Sequence, residues 1–169
     1  RCYYELGEYS NTIEAARLLL QLDKIQEEYI REANFKIAKS FQAVNEMDFA
    51  YDFYEKVARE VNSREGAESK YWTIEILYER GDLDQAEQAV YDFIDMNTPH
   101  QYWMGMAFLS LSDVYMEKGD EFSAINTLQT LIANYPIPDD GIIDNARQRK
   151  SAMTEQAESD IAPDSPPVQ

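Results

Sequence analysis

Gly81-Asp82-Leu83-Asp84-Gln85-Ala86 decides the fold, because it is one of four segments built alike. The others are Gly7-Glu8-Tyr9-Ser10-Asn11-Thr12, Asn45-Glu46-Met47-Asp48-Phe49-Ala50 and Gly119-Asp120-Glu121-Phe122-Ser123-Ala124. From Gly7 to Asn45 is 38 residues, from Asn45 to Gly81 is 36, and from Gly81 to Gly119 is 38. Self-similarity at such a period is the signature of a repeat array. Each segment opens on Gly or Asn, which tolerate the left-handed backbone that ends a helix, and then offers Asp or Ser to cap the next helix. Five residues after the Gly or Asn stands a small side chain, Thr12, Ala50, Ala86 or Ala124, where two helices can approach closely. Four residues before it stands a bulky one, Tyr3, Phe41, Leu77 or Tyr115, placed to fill the groove between them.

Beyond each turn the apolar residues keep the helical period: Ile13, Ala16 and Leu20; Tyr51, Tyr54 and Val57; Ala86, Val90 and Phe93; Ile125, Leu128 and Leu131. These second helices end in breakers at Asp23-Lys24, Val61-Asn62-Ser63, Asn97-Thr98-Pro99 and Asn134-Tyr135-Pro136. Thr98-Pro99-His100-Gln101 reads as a capping box with Pro at the first helical position, which places His100 in a solvated first turn. Cys2, in the first short helix, reads as a small buried hydrophobe.

This pattern resembles the tetratricopeptide repeat over about residues 1–136, best in residues 81–87 and in residues 119–124 closing on Asn134-Tyr135-Pro136. The resemblance implies an all-α fold, a right-handed superhelix of antiparallel helix pairs, with about three and a half repeats. The residue expected to be small, seven before the turn, is Ala38 and Ser112 in two repeats but Ile74 in the third. After Pro136, Ile142, Ile143 and Ala146 share one side of a helix that turns polar at Arg147-Gln148-Arg149-Lys150, as a capping helix would. The array with its cap is therefore expected over residues 1–153, and residues 154–169, acidic and carrying Pro163, Pro166 and Pro167, as a disordered tail. The long units, the acidity and the Pro-rich ending also resemble large bacterial periplasmic or outer-membrane-associated repeat proteins. Residues 1–6 read as the last turns of a helix, so the sequence reads as a C-terminal fragment of a longer chain.

Composition narrows the function. With 15 Lys+Arg against 32 Asp+Glu the formal charge is −17, which repels nucleic acid and anionic membrane surfaces and suits a basic protein or peptide. No run approaches the ~20 apolar residues that span a bilayer. One cysteine and one histidine leave no material for a disulfide framework, a Cys/His zinc site, a Cys–His pair or a Ser–His–Asp triad. Glu75 with Glu79, and Asp113 with Glu117, are acid pairs at helical spacing, but no phosphate loop or calcium loop accompanies them. No catalytic residue, metal or cofactor is expected, and the chain reads as a non-enzymatic scaffold.

In arrays of the resembled family the first helix of each pair lines a concave groove. Carried onto this sequence, residues two, three, six and ten before each turn give Ala43, Gln42, Lys39 and Phe35; Glu79, Tyr78, Glu75 and Tyr71; and Glu117, Met116, Asp113 and Leu109. Glu32, Glu68 and Met106, thirteen before, extend the stripe. The resemblance thus implies an aromatic, Met-rich and acidic groove for a protein segment with basic and apolar residues. The alternative is that Tyr71, Tyr78 and Leu109 are core, and the chain is a structural solenoid segment or self-associates through an open edge of Tyr3, Leu6, Ile13 and Leu20.

Overall fold

The computed structural model describes residues 2–161, and among them there are nine helices and no strand. Four antiparallel pairs follow one another: α1 (Cys2–Glu5) with α2 (Tyr9–Leu20), α3 (Glu27–Ala43) with α4 (Met47–Val57), α5 (Arg64–Glu79) with α6 (Leu83–Asp95), and α7 (Gln101–Glu117) with α8 (Glu121–Asn134). A single helix, α9 (Ile142–Ile161), closes the array.

The four turns are the same device. Gly7, Asn45, Gly81 and Gly119 lie at φ of 75°, 61°, 78° and 76°. Each turn residue gives its N–H to the carbonyl three residues back, on Tyr4, Gln42, Tyr78 or Met116. The next N–H, from Glu8, Glu46, Asp82 or Asp120, goes to the carbonyl of Tyr3, Phe41, Leu77 or Tyr115 at 2.8–3.0 Å. This double closure satisfies carbonyls that the helix end would leave orphaned. It also explains the fixed place of the bulky residue, whose backbone is part of the turn. The small residue is fixed from the other side: the amides of Thr12, Ala50, Ala86 and Ala124 make the first intrahelical bonds, to Glu8, Glu46, Asp82 and Asp120. All four of these side chains are buried.

Capping departs from the sequence reading. Of the four residues that start the second helices, only Asp120 caps with its side chain, accepting the Ser123 N–H at 3.0 Å. Glu8, Glu46 and Asp82, in the same turn geometry at ψ of 67°, 68° and 56°, make no such bond. Thr98 does not begin α7 either. Its hydroxyl accepts the His100 N–H at 3.1 Å and donates to the Val61 carbonyl at 2.6 Å, tying the loop to the preceding repeat, and the helix starts at Gln101. Cys2 is exposed, not buried, at the start of the four-residue α1.

The core is a chain of clusters, each built from one second helix and the first helices on either side of it. Ala16 with Ala33 and Ile37 begins it; Phe35, Ala38, Ala50, Tyr54, Val57 and Ile76 follow. Ile74, Leu77, Ala86, Val90, Phe93, Ala107, Leu111 and Val114 form the largest. Here Ile74, in the place of a small residue, is fully buried in a cluster whose Ala67, Ala86, Ala89 and Ala107 leave it room. Leu109, Leu128 and Leu131 with Ile142 and Ala146 seat α9 on the last pair. Outside the core a surface pairing repeats in register. Arg80, just before its turn, reaches Asp48, and Lys118, in the same place one repeat on, reaches Asp84, both at 2.6 Å. The carboxylates are exposed, so these pairs add little stability, though they mark the same offset twice.

α9 runs past residue 153 to Ile161, because residues 151–161 contain no breaker and the Ser151 hydroxyl bonds Glu155 one turn on at 3.0 Å. Residues 162–169 of the expected tail lie outside the described residues.

Two glycines separate the backbone constraints. A Cβ on Gly81 meets nothing within 4 Å, so Gly81→Ala carries only the left-handed penalty and should lower stability by about 1–2 kcal/mol in urea unfolding. A Cβ on Gly66 would lie 2.1 Å from the Glu60 carbonyl oxygen, so Gly66→Ala should cost clearly more; equal midpoints for the two variants would contradict this account.

Candidate functional site

α3, α5 and α7 lie side by side, each returned by a second helix to start from the same rim, and they present one continuous face. The stripe expected from the sequence falls on it, but much of it is occupied by contacts between neighbouring first helices. Phe35, Glu68, Tyr71 and Leu109 are buried. Phe35 meets Tyr54 edge-on at 6.3 Å, and the Tyr54 hydroxyl donates to Gln42 Oε1 at 2.6 Å. Tyr71 stacks on Trp103 at 5.5 Å and tilts against Trp72 at 5.2 Å. Leu109 belongs to the core under α9. These residues are the floor of the face, not its open surface. Tyr78, Met106, Met116 and Glu32 are half-buried, while Ala43, Glu79 and Glu117 are exposed.

The residue six before the turn bridges to the next element in each of the last three pairs. Lys39 Nζ lies 2.9 Å from Glu68 Oε1 and 5.4 Å above the Phe35 ring. Glu75 accepts the Ser110 hydroxyl and the Tyr71 hydroxyl. Asp113 accepts from Arg149 of α9, whose guanidinium also donates to the Leu109 carbonyl at 3.3 Å and to Asn145 Oδ1 at 2.6 Å.

Burial pushes the Glu75 carboxyl above its ordinary value; Ser110 opposes this and the nearby Asp113 and Glu79 reinforce it. Burial also raises Asp113, against the pull of Arg149. The Tyr78 hydroxyl is raised by burial and by the charges of Asp113, Glu117 and Glu75 around it. The centre of the face is therefore an aromatic ring among three carboxylates, with the Arg149 guanidinium on one of them.

By charge Arg149 reads with the solvated residues of the cap, yet it stands seven after Ile142 and three after Ala146, both buried, and so on the packed side of α9. Helical period is the signal that locates it. Trp72 and Trp103 also lie outside the expected stripe; continued one turn toward the start of α7, the stripe reaches Tyr102 and Trp103.

The paired acids do not converge. Glu75 is engaged by Ser110 and Tyr71, and Glu79 is exposed. Among the described residues no group of three or more His, Cys, Asp or Glu is placed to hold a metal ion. The His100 ring lies on the Asn62 carbonyl, Nε2 at 3.1 Å, as part of a loop contact. No helix among the described residues is long and apolar enough to cross a membrane.

Residues 101–136, which are α7, α8 and the segment after them, match the family model for the tetratricopeptide repeat. That segment is thus similar to one tetratricopeptide repeat, within an all-helical repeat array. Similar solved structures cover nearly all of its length. A Podosopora anserina putative kinesin light chain of nearly identical TPR-like repeats matches with a TM-score of 0.59 at 14% identity, over 94% of this chain and 90% of that one. A point variant of that protein matches with a TM-score of 0.61 at 14% identity, over 94% and 89%. BtubC (BKLC) from P. vanneervenii matches with a TM-score of 0.62 at 16% identity, over 99% and 80%. At these identities the likeness is one of fold. No curated protein matches the sequence. Tetratricopeptide repeats generally mediate protein–protein interaction or scaffolding.

The raised Glu75 carboxyl has a consequence for stability. The folded carboxyl keeps its proton to higher pH than the unfolded one, so its ionisation costs the fold stability as pH rises above the ordinary 4.5. That cost is absent well below 4.5 and grows as pH rises through the raised folded value. Glu75→Gln should therefore melt higher than the parent at neutral pH, with the difference closing on acidification. A variant that melts lower at neutral pH would mean that the bonds to Ser110 and Tyr71 outweigh the burial.

Proposed function

We propose that this array is a non-enzymatic interaction scaffold that holds a peptide or protein segment with basic and apolar residues on its inner face. The observation that carries the reading is Arg149: a guanidinium already rests on the inner-face Asp113, beside the half-buried Tyr78. A partner's Arg or Lys would find the same chemistry at Glu79 and Glu117, which are exposed, with Tyr78 offering a ring face and Met106 and Met116 adaptable apolar contact. The charge of −17 favours encounter with a basic partner and makes that encounter sensitive to salt.

A second reading is favoured by one observation, the exposure of Tyr3 at 47% and Leu6 at 72% on the first pair. These two could join copies of the chain, or continue a longer solenoid. Ile13 and Leu20 are already packed against the Ala16, Ala33 and Ile37 cluster and contribute less than the sequence suggests.

Affinity capture from the native extract should show a protein retained by the parent and reduced at least about tenfold with Glu79→Lys/Glu117→Lys, whose positions are exposed. Identical retention by both would end the groove reading. Leu6→Glu separates the second one: light scattering should show a drop in mass against the parent, and an unchanged mass would remove the edge as an association surface.

A further inference from the structure

α9 takes the place beside α7 that a further first helix would take, packing on α8 and α7. Two separate sets of residues hold it. Ile142 and Ala146 are buried with Leu109, Leu128 and Leu131, an apolar seat of which Arg149 is no part. Arg149, three residues after Ala146, reaches past that seat onto the inner face. Its guanidinium donates to Asp113, to the Leu109 carbonyl at 3.3 Å and to Asn145 Oδ1 at 2.6 Å. Burial raises the Tyr71 and Tyr78 hydroxyls on α5, and the Arg149 charge acts on both in the opposite sense, so the guanidinium is felt beyond α7 on the next helix of the face.

The pair that Arg149 makes is partly open to solvent. The Arg149 and Asp113 side chains keep 32% and 35% of their surface exposed, whereas the carboxylate of the Lys39–Glu68 bridge is buried. A partly exposed ion pair is weak, because water competes for both of its members. The ground around it stays short of positive charge: Asp113, Glu117 and Glu75 all act on the Tyr78 hydroxyl, with Arg149 as the opposing charge. A segment carrying two cations therefore brings this part of the face what a single guanidinium does not.

We propose that Arg149 is an internal occupant of the binding face: it holds at Asp113 the place of one basic residue of the bound segment, which docks fully only by displacing it. The inference rests on the scaffold reading and adds its regulation. Because Ile142 and Ala146 seat α9 separately, the long Arg149 side chain can leave Asp113 while the helix stays. The apparent affinity of a site that is open for a fraction of the time falls by that fraction. Arg149 thus lowers the affinity of every basic ligand that uses Asp113, and holds back most those that carry a single cation. α9 thereby sets a threshold for what the face accepts.

The probe is an end-blocked Leu-Arg-Leu-Arg peptide, with Leu-Gln-Leu-Gln as its companion, titrated into the full chain at low salt. Binding is followed by the ring-proton signals of Tyr78, assigned with Tyr78→Phe. Arg149→Gln keeps an amide donor for the Leu109 carbonyl and removes the charge. Arg147→Gln makes the same change in net charge at an exposed position, where Arg147 faces Asp144 at 3.5 Å. The expected result is about five- to tenfold tighter binding of the arginine peptide to Arg149→Gln than to the parent, a change of less than about twofold with Arg147→Gln, and no gain in Arg149→Gln/Asp113→Asn. Should Arg149→Gln unseat α9, seen as lost helix content by circular dichroism, the double variant still decides, because only a gain made through Asp113 disappears with it. The inference is overturned if Arg149→Gln binds no more tightly than Arg147→Gln, or if the gain survives Asp113→Asn; the scaffold reading survives both results. Binding to neither the parent nor Arg149→Gln overturns both.

Discussion

Everything in this fold depends on one backbone state, the left-handed residue at Gly7, Asn45, Gly81 and Gly119. It ends the first helix with two bonds to carbonyls inside that helix, and it fixes how many residues separate the bulky residue before the turn from the small one after it. Because the second helix then starts at a set angle and distance, its apolar side is offered both to its own partner and to the first helix of the next pair. The clusters that straddle successive repeats, such as Phe35, Tyr54 and Ile76, follow from that sharing. No pair has a core of its own, and stability passes along the array through shared interfaces.

The sequence makes the turns, the small buried residues and the helix pairs legible because each is set by local chemistry repeated four times. It misleads where an alternative partner lies far off in the chain. Thr98 looks like a cap locally, but Val61, 37 residues earlier, takes its hydroxyl. Asp82 looks like a cap as well, yet of the equivalent residues only Asp120 accepts an amide of the helix it starts. The inner face is legible as a stripe, though not in its depth. Phe35, Tyr71 and Leu109 share the period of Tyr78 and Met116, and nothing in one helix tells which of them the next helix will cover. Arg149 illustrates the opposite error: its charge suggests solvent, while its position, in step with Ile142 and Ala146, requires contact.

The recurrent bridge six residues before the turn shows how a repeat protein reconciles polar residues with a packed face. Lys39–Glu68, Glu75–Ser110 and Asp113–Arg149 differ in chemistry and agree in geometry. Satisfying these groups internally spares the packed face an orphaned donor or acceptor and leaves the exposed acids, such as Glu79 and Glu117, nearer its ends.

That division gives the net charge a spatial meaning. A chain with 32 acidic residues could present a uniformly negative surface, and such a surface would attract basic partners without ordering them. Parallel first helices prevent uniformity, because their dipoles add with the same sense across the array and set one rim against the other. Glu79 and Glu117 deepen the negative rim, whereas at the other Arg64 stands beside Glu65, and Arg31, 3.8 Å from Glu65, is paired with Glu60 at 2.8 Å. The asymmetry comes from the connectivity of the helix pairs, and Glu27, Glu28 and Glu65 in the first turns of α3 and α5 offset it at the N-terminal rim.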